Sequence, residues 1–345
     1  MLKVRIGVLT GGGDAPGTNA VIRGIVRKGL KKYDDEFIGI RDGWRGMLEA
    51  DFTVLDQEAI TAILTRGGSI LGFSRTNPFR SEKGVERILR NMEESGMEAI
   101  IAIGGDDTLG VACKLGEFGV KCVGVPKTID NDLSGTDYTF GFNTAVSIAT
   151  EALDRLRSTA EAHQRVIILE VMGRNTGWIA LESGLAGGAD VILIPEKPFD
   201  VVEICEYISQ RQKRGRNFSV VVVSEGARPL GGKEITYSDG VDEFGNVRLG
   251  GVGIYLGKEI EKRISTETRV VILGHIQRGG TPTAFDRVLG TRFGLAAVDF
   301  LHEGRFGCLV GIQGTLIVPV ALEKIIGKRK IVSPDLYEIA SVFFG

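Results

Sequence analysis

The sequence predicts an α/β protein. Short, nearly all-apolar runs recur along the chain, each ends in glycine and acids, and each is followed by a segment with helical spacing. Runs that do not alternate polar with apolar residues are those of parallel strands buried on both faces, and strands alternating with helices build layered sheets. A third observation agrees: 49 of the 345 residues are glycine, about 14% against ~7% in an average protein, and many of them cluster after the apolar runs.

In chain order, strand Arg5–Leu9 runs into a triple glycine and then a helix over Asn19–Leu30, and strand Phe37–Ile40 follows. A helix over Gly84–Ser95 leads to strand Ala99–Ile103, which ends in a glycine pair before the helix Thr108–Glu117. Strand Cys122–Val125 precedes a polar string and the helix Thr144–Ser158; strand Val166–Val171 precedes the helix Thr176–Gly187. Strand Val191–Ile194, helix Val201–Arg214 and strand Val220–Ser224 repeat the same grammar, as do helix Gly253–Arg263, strand Val270–Leu273, helix Ala284–His302 and strand Leu309–Gln313. Residues 226–251 break the pattern, being rich in glycine and polar residues, and read as a surface loop or hairpin.

Several classes are excluded. There is no G-x-y period and proline numbers only 9, so the glycines are not collagenous. Lys and Arg number 42 against 44 Asp and Glu, with no long run of one sign, which is not the balance of a nucleic-acid binder. No apolar stretch is long enough to span a membrane, and the first residues turn to glycine too soon for a signal peptide, so a cytoplasmic protein is expected. Cys113, Cys122, Cys205 and Cys308 lie far apart without C-x-x-C spacing and read as buried or partly buried free thiols. The length allows about two domains, with cores that must be largely aliphatic because aromatics are 7%.

In sheets of this kind ligands sit beyond the carboxyl ends of the strands. The first such loop is Gly11-Gly12-Gly13-Asp14-Ala15-Pro16-Gly17-Thr18-Asn19, where successive glycines let N–H groups converge on an anion at a helix N-terminus. It is neither G-x-G-x-x-G nor G-x-x-x-x-G-K-[ST], and a plain tight turn stands as the other reading. The second, Gly104-Gly105-Asp106-Asp107-Thr108, offers Asp106 as a Mg²⁺ carboxylate, with helix capping as the alternative for its two acids. The third, Pro126-Lys127-Thr128-Ile129-Asp130-Asn131-Asp132, sets polar side chains where one carboxylate can take the proton of an attacking sugar hydroxyl. Then come Met172-Gly173-Arg174, with Arg165 upstream, and Thr268-Arg269 leading into Gly274-His275-Ile276-Gln277-Arg278-Gly279-Gly280. Four arginines and a histidine at strand ends match a phosphorylated substrate, because the guanidinium fork fits phosphate.

Together these strings resemble the 6-phosphofructokinase family from Val4 to about residue 315. Lipid kinases and NAD kinases share Gly-Gly-Asp-x-Thr loops but lack the Thr-Ile-Asp-Asn-Asp and His-Ile-Gln-Arg strings. The resemblance implies two similar Rossmann-like domains with mainly parallel sheets and the active site in the cleft between them. Residues 1–142 plus 277–326 would form the donor domain, and 143–276 plus 327–345 the fructose 6-phosphate domain. It implies that Gly12, Gly13, Gly105, Asp107, Thr108 and Lys127 bind the phosphoryl donor and that Asp106 binds Mg²⁺. Asp130 would be the base for the C1 hydroxyl, Thr128 and Asp132 would organise the reacting groups, and Arg75 would bridge donor and acceptor phosphates. Met172, Gly173, Arg174, Glu225, His275 and Arg278 would form the sugar-phosphate pocket. Arg165 and Arg269 would reach it from a neighbouring subunit, in a homodimer or homotetramer.

Two positions bear on the donor. ATP-using bacterial members of the family usually have glycine where Asp107 stands and often where Lys127 stands; members using inorganic pyrophosphate usually have aspartate and lysine. A carboxylate at 107 would crowd and repel a nucleotide's α-phosphate, while Lys127 adds a point charge on a smaller anion. Lysine also occurs in some ATP users, so Asp107 carries more weight. The expectation is a reversible, Mg²⁺-dependent pyrophosphate:fructose-6-phosphate phosphotransferase of glycolysis. An ATP-dependent 6-phosphofructokinase and a catalytically silent sugar-phosphate sensor on the same fold are the alternatives.

Overall fold

The computed structural model describes residues 3–232, 235–241 and 247–345, with the backbone alone over 236–241 and 247–248. The chain forms two compact units, each built from two pieces: Met1–Thr144 with Arg278–Arg329, and Ala145–Gln277 with Lys330–Gly345. In order the elements are β1 (Arg5–Thr10), α1 (Thr18–Lys28), β2 (Glu36–Ile40), α2 (Trp44–Glu49), β3 (Phe52–Val54), α3 (Gly84–Ser95), β4 (Ala99–Gly104) and α4 (Asp106–Gly116). They continue with β5 (Cys122–Thr128), β6 (Phe140–Gly141), α5 (Phe142–His163), β7 (Val166–Val171), α6 (Trp178–Ala186), β8 (Val191–Leu193), α7 (Val201–Lys213) and β9 (Ser219–Ser224). The rest are β10 (Thr236–Val241), β11 (Val247–Leu249), α8 (Val252–Ile264), β12 (Thr268–Ile272), α9 (Ala284–His302), β13 (Cys308–Gln313), β14 (Leu316–Ala321) and α10 (Pro334–Ser341).

The first unit is one sheet in the order β14-β13-β5-β4-β1-β2-β3, with β6 beside β5. Its interior strands are parallel, and the two edge strands β3 and β14 are antiparallel to their neighbours. The pleat sends alternate residues of β4 to opposite faces. Ala99, Ile101 and Ile103 join the core made with Val21, Ile25, Phe293 and Ala297 of α1 and α9. Ile100 and Ala102 join Met47, Ile88, Val111 and Leu115 of α2, α3 and α4. Each fully buried isoleucine contributes about 1.5–3 kcal/mol, so a strand apolar on both faces is what this position needs. Some glycine serves packing rather than ligands: a Cβ on Gly24 would lie 2.9 Å from the Thr291 carbonyl, and one on Gly294 would overlap that of Val21. The contact between α1 and α9 therefore rests on bare backbone.

The second unit is an all-parallel sheet, β12-β7-β9-β8. Val166, Ile168, Val221 and Val223 pack on Ile204 and Ile208 of α7 and on Val252, Leu256 and Ile260 of α8. In the segment read as a loop or hairpin, β10 and β11 pair antiparallel as a hairpin.

The expected strands and helices are present, with ends moved by a few residues. What the periodicity missed is peripheral: the edges β3 and β14, the two-residue β6, the short α2, and α10. The last carries a cap signal, because Ser333 Oγ accepts from Leu336 N at 3.2 Å and Pro334 begins the helix. Cys122, Cys205 and Cys308 are buried and Cys113 half-buried, all as free thiols. Among the described residues no helix is long and apolar enough to cross a membrane.

Candidate active site

Strands β1, β4 and β5 are parallel neighbours, so the loops leaving their carboxyl ends lie side by side. Thr108, buried in the first turn of α4, wedges them: a Cβ on Gly11 would lie 2.5 Å from its Oγ1, and one on Gly104 would overlap its side chain. Expected as a donor ligand, Thr108 packs under both glycine loops. Gly11 N donates to Ile103 O at 3.0 Å and Gly12 N to Ser74 O at 2.9 Å. Those two amides are used within the protein, so any anion held by the triple glycine would have to use other donors of the loop. The glycines instead permit close approach: Gly12 sits at φ 79, and a Cβ on Gly13 would overlap the Arg278 guanidinium.

That close approach gathers positive charge. Lys127, the penultimate residue of β5, is buried and its ammonium donates to the Gly13 carbonyl. Burial pulls its pKa down to about 7, with Arg278 and Arg75 adding repulsion and Asp14 and Asp130 opposing it. The Arg278 guanidinium and the Lys127 amine thus meet at Gly13, with the charge of Arg75 felt at Lys127, an arrangement suited to a small polyanion. Arg278, expected among the sugar-phosphate residues, lies in the first unit against the glycine loop at Gly13.

Asp106 and Asp107 are exposed in the first turn of α4. Neither is the cap: Gly105 holds that position with no side-chain cap bond, so the capping alternative does not account for the pair. Asp106 Oδ1 accepts from Gly327 N at 3.2 Å. No cluster of three or more metal-ligating side chains occurs among the described residues. One exposed carboxylate fits Mg²⁺ held mainly by water and phosphate, not by a protein cage.

The turn after β5 is held by its own backbone and by Thr139. Thr128 Oγ1 accepts from Asp130 N at 3.1 Å, Asn131 Oδ1 accepts from Thr139 N at 3.0 Å, and Thr139 Oγ1 donates to Thr128 O at 2.7 Å. Asn131, buried at φ 51, reverses the chain so that Asp130 and Asp132 flank it. Packing around Asp132 and the charge of Asp130 push its pKa up to about 7, opposed by Arg329. A second carboxylate beside Asp130, itself held partly protonated near neutral pH, is an arrangement suited to acid–base work.

In the second unit the carboxyl ends of β7, β9 and β12 converge. Gly173 O accepts from Ser224 Oγ at 2.6 Å and Gly226 N at 3.2 Å, Glu225 N donates to Val171 O at 2.8 Å, and Met172 N donates to Gln277 Oε1 at 2.8 Å. His275 is exposed in the helical turn Gly274–Arg278 that follows β12. Met172, Gly173, Arg174, Glu225 and His275 therefore lie on adjoining loops.

Arg165 and Arg269 do not join them. Arg165 precedes β7, and Arg269 pairs with Ile167 near the amino end of the same strands. Six residues of strand separate that edge from Met172, roughly 20 Å. The four arginines are thus not all at carboxyl strand ends: these two share Glu267, with Arg165 Nε 2.5 Å from its Oε2 and Arg269 on the other oxygen.

Sequence reasoning missed several supports. Buried Glu170 accepts from Gly251 N at 3.0 Å and Gly253 N at 2.8 Å, holding the start of α8. Buried Asp286 accepts from Thr144 N at 2.8 Å, holding the start of α5. Only Asn131 and Gln277 carried a signal, lying inside the strings that bear the chemistry.

The phosphofructokinase family description matches residues 5–301. The chain is 58% identical, over 99% of its length and 100% of the relative's, to a pyrophosphate–fructose 6-phosphate 1-phosphotransferase of Streptomyces coelicolor. It is 53% identical, over 96% and 97%, to ATP-dependent 6-phosphofructokinase 3 of the same organism. The phosphofructokinase structure from Saccharomyces cerevisiae superposes with a TM-score of 0.81 at 29% identity, covering 99% of this chain and 47% of that larger one, so this chain spans about half its length.

Proposed function

The chain belongs to the phosphofructokinase family, and from that premise we propose that it moves a phosphoryl group from inorganic pyrophosphate to the C1 hydroxyl of fructose 6-phosphate. The products are fructose 1,6-bisphosphate and phosphate. Identity alone does not choose the donor, since relatives named for each donor stand at 58% and 53%. Asp107 carries the choice. It is exposed beside Asp106 at the amino end of α4, where a nucleotide's α-phosphate would meet a second carboxylate. Buried Lys127 supports the same reading by placing a cation in the glycine loop, compensating for the missing adenosine contacts.

Asp130 accepts the C1 proton as the sugar oxygen attacks phosphorus, and Thr128 and Asp132 keep the turn and its charge in order. Lys127, Arg75 and Arg278 neutralise the charge that passes to the leaving phosphate. Asp106 would hold Mg²⁺, which supplies charge neutralisation between the phosphates. The loops carrying Met172, Gly173, Arg174, Glu225 and His275 bind the sugar phosphate. The first unit serves the donor and the second the sugar phosphate. The enzyme acts reversibly in the cytoplasm.

A coupled assay on the purified protein tests this: turnover is expected with pyrophosphate and Mg²⁺, and turnover with ATP but none with pyrophosphate would overturn the donor. A chain that binds fructose 6-phosphate and turns over neither is the silent sensor.

Arg165 and Arg269, remote from their own chain's sugar-phosphate loops, complete the site of a neighbouring copy in a homodimer or homotetramer. Mixing Arg269→Ala subunits with Arg174→Ala subunits is expected to restore part of the activity that each lacks alone. A mixture no more active than its components rules out sites shared between chains.

A further inference from the structure

We propose that Phe73 is a positioning residue of the donor site, its ring face and the Gly13 carbonyl together holding the Lys127 ammonium at the glycine loop for the incoming phosphate. The inference deepens the reading above and rests on it.

Lys127 Nζ lies 5.3 Å from the centre of the Phe73 ring, within the range of a cation–π contact. The segment bearing Phe73 is fixed on both sides: Thr10 Oγ1 donates to Gly72 O at 2.5 Å, and Gly12 N donates to Ser74 O at 2.9 Å. The second bond removes an amide from any anion, and what it secures is the registry between the glycine loop and the aromatic ring. An ammonium has three N–H groups to satisfy and Lys127 is buried, where an unsatisfied charge is unfavourable. The Gly13 carbonyl takes one of them and the ring's negative face stabilises the charge from another side. A flexible four-carbon side chain is thereby held in one orientation before the donor arrives, so less freedom is lost on binding.

The charged groups facing Lys127 are Arg278 and Arg75, which disfavour its protonated form, and Asp14 and Asp130, which favour it. Burial has already brought the ammonium to about 7. A ring that stabilises the cation keeps the binding-competent form present to higher pH, and a ring removed should let it be lost at lower pH.

The test uses the full chain and two variants, Phe73→Leu and Phe73→Tyr, with steady-state kinetics from acid to alkaline pH. The wild type is assayed first with pyrophosphate and with ATP, each with Mg²⁺, which decides the donor; the KM for whichever donor it uses is then the readout. Phe73→Leu is expected to raise that KM about tenfold, with kcat and the KM for fructose 6-phosphate little changed. Its fall in donor kcat/KM on the alkaline side should begin at lower pH than in the wild type. Phe73→Tyr, which keeps the ring face, should behave as the wild type. An unchanged donor KM and alkaline limb in Phe73→Leu, or a Phe73→Tyr variant as impaired as Phe73→Leu, overturns the proposal. A wild type that uses ATP alone refutes the pyrophosphate reading and leaves the Phe73 outcome separately readable.

Discussion

Asp130→Ser is expected to lower kcat by about 10²–10⁴-fold, the usual range for loss of a general base, while the protein unfolds at nearly its normal temperature. The described hydrogen bonds holding the turn run through the backbone of Asp130, through Thr128, and through Asn131 and Thr139. Serine keeps that backbone donor, so the site should keep its shape. What is lost is the carboxylate proposed to accept the C1 proton. The change also removes the charge that helps to raise Asp132, so the remaining carboxyl should titrate below its present value of about 7. Asp132 then stays ionised further into the acid range, but serine cannot do the work of Asp130 there. Saturating steady-state kinetics beside a thermal melt separate these effects, and a near-normal kcat would remove Asp130 from the role of base.

Asp107→Gly should admit ATP. Two unit charges ~5 Å apart at an effective dielectric of ~20 repel by roughly 3 kcal/mol, about a hundredfold in affinity. Asp107 is exposed, and solvent screens part of that, so a gain of tenfold or more in kcat/KM for ATP is expected. Pyrophosphate use should weaken at the same time. The fold should tolerate the change, because Asp107 is not the cap of α4 and Thr108 beside it makes the packing contacts with both glycine loops. Competition between the two donors in one assay reads the shift directly; an unchanged preference would show that Asp107 does not select the donor.

Much of this was legible in the sequence for a physical reason. Strands β1, β4, β5, β7 and β9 are buried on both faces, so their residues are apolar in unbroken runs. Ligand loops in a parallel sheet start where such runs stop, and Gly12, Asp106, Asp130 and Gly173 stand just beyond β1, β4, β5 and β7. The edges were less legible. Strand β14 is exposed at Leu316 and only partly buried beyond it, and β3 spans three residues, so neither is packed on both faces as an interior strand is. Thr108 shows a packing role that its acid-rich loop does not announce, since its side chain is buried beneath Gly11 and Gly104.

By itself the sequence determined the fold class, the order of the loops and the kind of chemistry they carry, because each string of functional residues is contiguous and follows its own strand. Only the tertiary structure decided how those strings share the work. Arg278 resting on Gly13, Lys127 lying under Phe73, and Gly12 N bonded to Ser74 are contacts between segments distant along the chain. No local pattern encodes them, since they arise from the neighbouring placement of parallel strands. Strand direction likewise decided that Arg165 and Arg269 stand at the amino ends of β7 and β12, opposite Met172, although in the sequence each stands only a few residues from the loop that follows its strand.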